Sequence, residues 1–159
     1  IVGVGFAEEL VFRGWLMQEM IFLFGLRKGI ILQSAIFSLA HIRFDLGLLP
    51  LLPFCLGLFL FGLILTLRRT IDKGELWGCI GLHGGLVGIW FLFDSGLVIF
   101  SHETPFYFLG AAKELRNPIG GVIGIVMLFI ILISQRRLFS RTGRFLDATV
   151  NASFRDEIP

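Results

Sequence analysis

Three ionisable residues fall within six positions of an otherwise apolar stretch: Glu8, Glu9 and Arg13, in Ala7-Glu8-Glu9-Leu10-Val11-Phe12-Arg13-Gly14. A charge at the centre of a bilayer costs about 3 kcal/mol or more unless it is paired or hydrated, so such a cluster needs a reason to persist. Glu9 and Arg13 are four residues apart, which puts them on one helix face and lets them pair. Glu8 is turned by about 100° from Glu9, leaving its carboxylate to serve another face. Two histidines follow in further apolar segments. His41 closes Phe37-Ser38-Leu39-Ala40-His41, with Phe37 one turn earlier on the same face, and His83 lies in Gly81-Leu82-His83-Gly84-Gly85-Leu86-Val87-Gly88. A carboxylate can take a proton from water and an imidazole can donate to a developing oxyanion, so a pocket joining these groups suggests hydrolysis.

Plainer readings of the same residues exist. Glu9 with Arg13 could be an ion pair that only positions helices, and a single histidine in a span can serve interhelical hydrogen bonds. Gly81 with Gly85, and Gly84 with Gly88, make small-residue faces suited to close helix packing. Gln33 and Ser38 suit interhelical hydrogen bonds, Glu19 suits a solvated helix end, and His102 lies in a connection without an evident partner. Two histidines and a carboxylate can also hold zinc. The sequence lacks HExxH, however, and the three groups belong to separate helices. No metal or other cofactor is expected, with zinc as the alternative.

The elements that must position these groups are membrane helices. Of the 159 residues, 55% are hydrophobic and 18 are phenylalanine, and the mean hydropathy is +0.85. That is too apolar for an ordinary soluble domain. Apolar stretches run from Ile1 to Gly25, Gly29 to Phe44, Leu46 to Leu67, Leu76 to Phe93 and Pro118 to Ser134. The expected fold is all-α, a polytopic membrane helix bundle of about five spans. The second stretch is short, which suits a buried, tilted or partly embedded helix. Trp77 and Trp90 bracket the fourth about 20 Å apart on a helix, a spacing that fits rings at both interfaces. At 1.5 Å per residue, His83 lies about 12 Å from one end of the bundle, His41 about 18 Å and Glu8 about 24 Å. The three can therefore meet near the middle of the membrane.

Residues 1–134 are read as one core and 135–159 as a basic, solvated tail. With five spans, one side carries ten basic residues, including Arg27, Lys28, Arg68, Arg69, Lys73 and the tail arginines, against three on the other: Arg43, Lys113 and Arg116. The tail should therefore face the cytoplasm, in a bacterial inner membrane or an organelle membrane. The connection from Asp94 to Asn117 could form a lid or an interfacial helix, and Asn151-Ala-Ser153 is a chance-level glycosylation triplet. Cys55 and Cys79 sit singly in apolar runs and are expected to behave as small hydrophobes. A formal charge of +2 provides no field for nucleic acid. The chain opens on Ile-Val-Gly-Val-Gly without methionine or a cleavable leader, and is read as the later part of a longer protein.

In combination the motifs resemble those of the CAAX prenyl endopeptidase and bacteriocin-processing family of intramembrane proteases. The family's EExxxR is similar to Glu8-Glu9 with Arg13, its FxxxH to Phe37 with His41, and its later histidine to His83. The resemblance runs from about Phe6 to Leu92. It implies a membrane endopeptidase without a serine or cysteine nucleophile, in which Glu8 is the general base on a water also held by His41. His83 would stabilise the oxyanion, and Arg13 would hold Glu9. Glu9 could support Glu8, the doublet sharing its protonation. Substrates would be lipidated or other membrane-associated peptides, with Phe37 and Val87 expected beside them. Val87 departs from the pattern, because many members carry asparagine there and valine has no donor. A non-proteolytic scaffold, or a regulatory or bacteriocin-immunity protein, is the main alternative, and a proton-coupled transporter a more distant one.

Overall fold

A computed structural model of the chain describes residues 2–97, 105–110 and 117–134, and these are helices joined by short connections. The first helix consists of α1 (Val2–Glu9), a π-helical segment (Leu10–Leu16) and α2 (Met17–Phe24), which follow one another without a break. Both junction residues, Glu9 and Met17, keep helical backbone angles. Gly25, at φ 77°, ends this helix and turns the chain into α3 (Leu26–Ala40). A side chain on Gly29 would come within 2.6 Å of the Ile21 backbone nitrogen, so α2 and α3 pack backbone to backbone. The second apolar stretch therefore ends at Ala40 rather than Phe44, and His41 is its C-cap, at φ −103° and ψ 15°. Next come α4 (Leu48–Ile71) and α5 (Trp77–Leu92), the latter running into a kinked π-helical segment (Phe93–Leu97). The short α6 (Phe106–Leu109), a 3-10 turn (Pro118–Gly120) and α7 (Val122–Ser134) complete the described elements.

The long helix α4 is central, with α3, α5 and α7 all packed against it. Phe37, Phe54, Leu58, Phe61, Leu65, Cys79 and Leu128 form the core between them. Polar groups tie the helices together where no water can. Ser38 Oγ donates to the Cys55 carbonyl at 2.7 Å, Thr66 Oγ1 to Gln33 Oε1 at 3.2 Å, and Cys79 Sγ to the Leu65 carbonyl at 3.1 Å. Gln33 and Ser38 thus make the interhelical bonds expected of them. The helices α1 and α5 meet through glycines, since a Cβ on Gly5 would stand 3.1 Å from the Gly84 nitrogen. The packing face expected at Gly81 and Gly85 is open instead, with nothing within 4 Å of a Cβ at either position.

The outer surface is apolar. Trp15, Phe22, Leu48, Leu49 and Trp77 are each more than 60% exposed, a surface that suits lipid tails better than water. Among the described residues, α4, with 24 residues, is the one helix long and apolar enough to cross a membrane by itself; α5 and α7 are apolar but shorter. The reading of five spans is thus reduced to five main helices with one full-length span. The first helix runs unbroken from Val2 to Phe24 but carries Glu8, Glu9, Arg13 and Glu19 within its apolar length. His102, Glu103, the Lys113-to-Arg116 cluster, the Asn151 triplet and the arginine-bearing tail from Gln135 lie outside the described residues.

Candidate functional site

Glu8 and Glu9 are the last residues of α1, Arg13 is in the middle of the π-helical segment, His41 caps α3 and His83 sits midway along α5. Helix packing brings them together in two layers. The inner layer is the chain Arg13–Glu9–His83: Arg13 Nη1 donates to Glu9 Oε1 at 2.9 Å, and His83 Nδ1 meets the same oxygen at 2.8 Å. Glu9 and Arg13 are wholly buried and His83 nearly so. The outer layer is Glu8 with His41. Glu8 Oε2 is 3.1 Å from His41 Nε2 and 3.8 Å from His83 Nε2, and the side chains of Glu8 and His41 remain 26% and 29% exposed.

These partners fix one proton on each ring. His41 Nδ1 stands 2.8 Å from the Phe37 carbonyl, which can only accept, so that nitrogen carries hydrogen and Nε2 is the one facing Glu8. Likewise His83 Nδ1 faces the Glu9 carboxylate and must be protonated, which leaves Nε2 directed at Glu8. The two carboxylates of the doublet thus lie at opposite nitrogens of the His83 ring. Glu9 holds the ring of His83.

Phe37 links the motifs. Its ring lies 4.1 Å from the guanidinium carbon of Arg13, 4.5 Å from the His41 ring and edge-on to His83 at 6.0 Å. At 1% exposure it is a buried part of the frame rather than a wall of an open cleft. Val87, one turn beyond His83 on α5, is exposed and apolar. Glu19 is exposed on α2.

Two aromatic contributors were not singled out from the sequence. Phe12 packs edge-on against Phe37 at 5.1 Å, and Phe61 of α4 packs edge-on against His83 at 5.5 Å. Phe12 was detectable as the residue beside Arg13 in the motif. Phe61 is one of 18 phenylalanines, and nothing local distinguishes it.

Chemically, the arrangement offers a partly exposed carboxylate in contact with one imidazole and close to a second, backed by a buried cation. It can exchange a proton with a bound water and present a ring N–H to developing negative charge. Among the described residues no group of three His, Cys, Asp or Glu forms a metal-binding set.

No curated protein and no solved structure matches the chain. A family model does match, over residues 1–89, the part that contains Glu8, Glu9, Arg13, Phe37, His41 and His83. By that match the chain belongs to the Rce1-like type II CAAX prenyl endopeptidase family.

Proposed function

We propose that this protein is an intramembrane endopeptidase that hydrolyses peptide bonds of lipidated, CAAX-type or other membrane-associated peptides through a water activated by Glu8 and His41. The observation that carries the reading is the meeting of Glu8, His41 and His83, from three different helices, around one carboxylate oxygen at 3.1 Å and 3.8 Å. Family membership supports the same chemistry. On this reading the five main helices are embedded in the bilayer together, their exposed apolar faces turned to lipid, with the basic tail on the cytoplasmic side.

In the proposed reaction Glu8 accepts a proton from water while His41, doubly protonated because Nδ1–H is committed to the Phe37 carbonyl, donates Nε2–H to the carboxylate, and the water oxygen attacks the scissile carbonyl carbon. His83 Nε2 donates to the oxyanion. Because Nδ1 is already committed to Glu9, that donation requires the doubly protonated ring, and Glu9 is the counter-charge beside it. Collapse of the tetrahedral intermediate breaks the C–N bond, and the proton held by Glu8 goes to the leaving nitrogen. Water and amide become acid and amine. Arg13, paired with Glu9 and stacked on Phe37, keeps the inner layer from moving. Phe37 then acts by positioning rather than by touching substrate.

The test is cleavage of detergent-solubilised lipidated and unlipidated peptides by the wild type and by Glu8→Gln, with and without a chelator. Glu8→Gln should remain folded and lose about 10²-fold or more of kcat. Cleavage that persists in Glu8→Gln rejects the glutamate mechanism, and cleavage abolished by chelator turns the site into a zinc centre. Val87 favours one second reading, a membrane scaffold that keeps the motif for structure. That reading gains if no peptide is cleaved while Glu8→Gln still supports the protein's cellular role.

A further inference from the structure

The π-helical segment creates a backbone problem that an α-helix does not have. In a π turn each N–H reaches the carbonyl five residues back, and in an α-helix the carbonyl four back. Met17, the first residue of α2, donates to the Phe12 carbonyl. Gln18, inside α2, is matched by the α pattern to the carbonyl of Gly14. Where π gives way to α, the carbonyl of Arg13 is passed over. An unpaired carbonyl inside an apolar bundle is unfavourable and calls for an outside donor.

The outside donor is Arg69. From the last turn of α4 its guanidinium sends Nη1 to the carbonyl of Arg13 and Nε to the carbonyl of Gly74 at 3.2 Å. A single planar group thus ties the π-helical segment to the turn after α4. Leu76, just after the same turn, leaves room for no more than an ordinary contact if Gly14 carried a Cβ, its Cδ1 lying 3.5 Å from that position. The residue whose carbonyl is held in this way is the one whose side chain holds Glu9.

We infer that Arg69 is a positioning residue for the glutamate and histidine centre: by satisfying the carbonyl that the π-to-α transition leaves over, it maintains the π-helical register that holds Arg13, paired with Glu9, over the ring of Phe37, and so steadies Glu9 against His83. Without this donor the segment can relax toward a plain α-helix. That relaxation rotates α2 against α1 and draws the Arg13 guanidinium off the Phe37 ring, which loosens its hold on Glu9. The activity readout of this inference rests on the proposed protease function; its structural readout does not.

The experiment uses the purified full chain in detergent, with Arg69→Met, Arg69→Lys, Glu9→Gln and the Arg69→Met/Glu9→Gln double variant. Cleavage of a lipidated peptide is measured together with the 15N resonances of the His83 ring. Arg69→Met should lower kcat about tenfold or more, with KM held within about twofold. It should also shift the His83 Nδ1 resonance, and Arg69→Lys, which keeps a donor, should largely restore both. Because Arg69 acts through the Arg13–Glu9 pair, the double variant should lose less than the product of the two single losses. Unchanged kcat and an unchanged His83 resonance in Arg69→Met overturn the inference, as do losses that multiply independently. If Arg69→Met does not fold, Arg69→Gln, which cannot reach as far, replaces it against Arg69→Lys on both readouts. If the wild type cleaves no peptide, the protease reading fails and the His83 resonance alone decides the role of Arg69.

Discussion

Glu9 Oε1 accepts from His83 Nδ1 at 2.8 Å, and the same oxygen takes Arg13 Nη1 at 2.9 Å. One carboxylate oxygen therefore joins the buried cation of the first helix to the imidazole of α5. The second oxygen of Glu9 has no partner among the described residues, nor do Nε and Nη2 of Arg13. The inner layer thus depends on a single shared contact, whereas Glu8, in the outer layer, is open on one side.

That difference predicts opposite responses in the two glutamates. Glu9→Ala leaves the Arg13 charge buried and alone, and should cost about 3–5 kcal/mol. Glu8→Ala, at a partly exposed position, should cost no more than about 1 kcal/mol, the range of an exposed pair, while abolishing cleavage. Thermal unfolding in detergent, run beside a peptide assay, compares them. Equal stability losses would contradict the two-layer arrangement.

Phe37 provides a second test. Phe37→Ala should destabilise by about 3–5 kcal/mol. Phe37→Leu, which keeps most of the volume but removes the ring over Arg13, should cost about 2 kcal/mol. In the milder variant kcat should fall while KM for a lipidated peptide stays near the wild-type value, because the ring is buried. A rise in KM with kcat unchanged would instead place Phe37 at the substrate.

Two helix glycines, Gly5 of α1 and Gly85 of α5, should behave differently. Gly5→Ala puts a methyl group 3.1 Å from the Gly84 backbone and should cost about 1–3 kcal/mol through overpacking. Gly85→Ala enters open space and should be neutral, or stabilising by up to about 1 kcal/mol from helix propensity. Melting temperatures of the two variants check this directly.

Val87→Asn offers a gain-of-function test. The side chain sits one turn after His83 on the exposed face, and asparagine there adds an amide donor near the proposed oxyanion. Loss of one such donor typically costs about 10²–10³ in kcat, so its introduction should raise kcat about tenfold, with KM little changed. An unaltered kcat would mean that this position does not face the reacting carbonyl.

The sequence by itself determined the helical, lipid-compatible character of the chain. Hydrophobic run length is a local property, and the expected stretch from Leu76 to Phe93 reappears as α5 (Trp77–Leu92). It also determined the pairing of Glu9 with Arg13, since an i,i+4 spacing on one helix needs no tertiary information. That Glu8 and the two histidines could meet followed from rise per residue only coarsely, their depths spreading over about 12 Å, or two helical turns. Tertiary structure decided the rest. Which of two adjacent glutamates faces which histidine depends on how α1 rotates against α3 and α5, and run lengths say nothing about rotation. The π-helical segment depends on a balance between backbone pairing and an arginine 56 positions away, and no local pattern encodes that contact. The choice between Gly84 and Gly85 as the packing residue is likewise a matter of rotation, because neighbouring positions on one helix differ by about 100° and only a neighbouring helix can tell them apart.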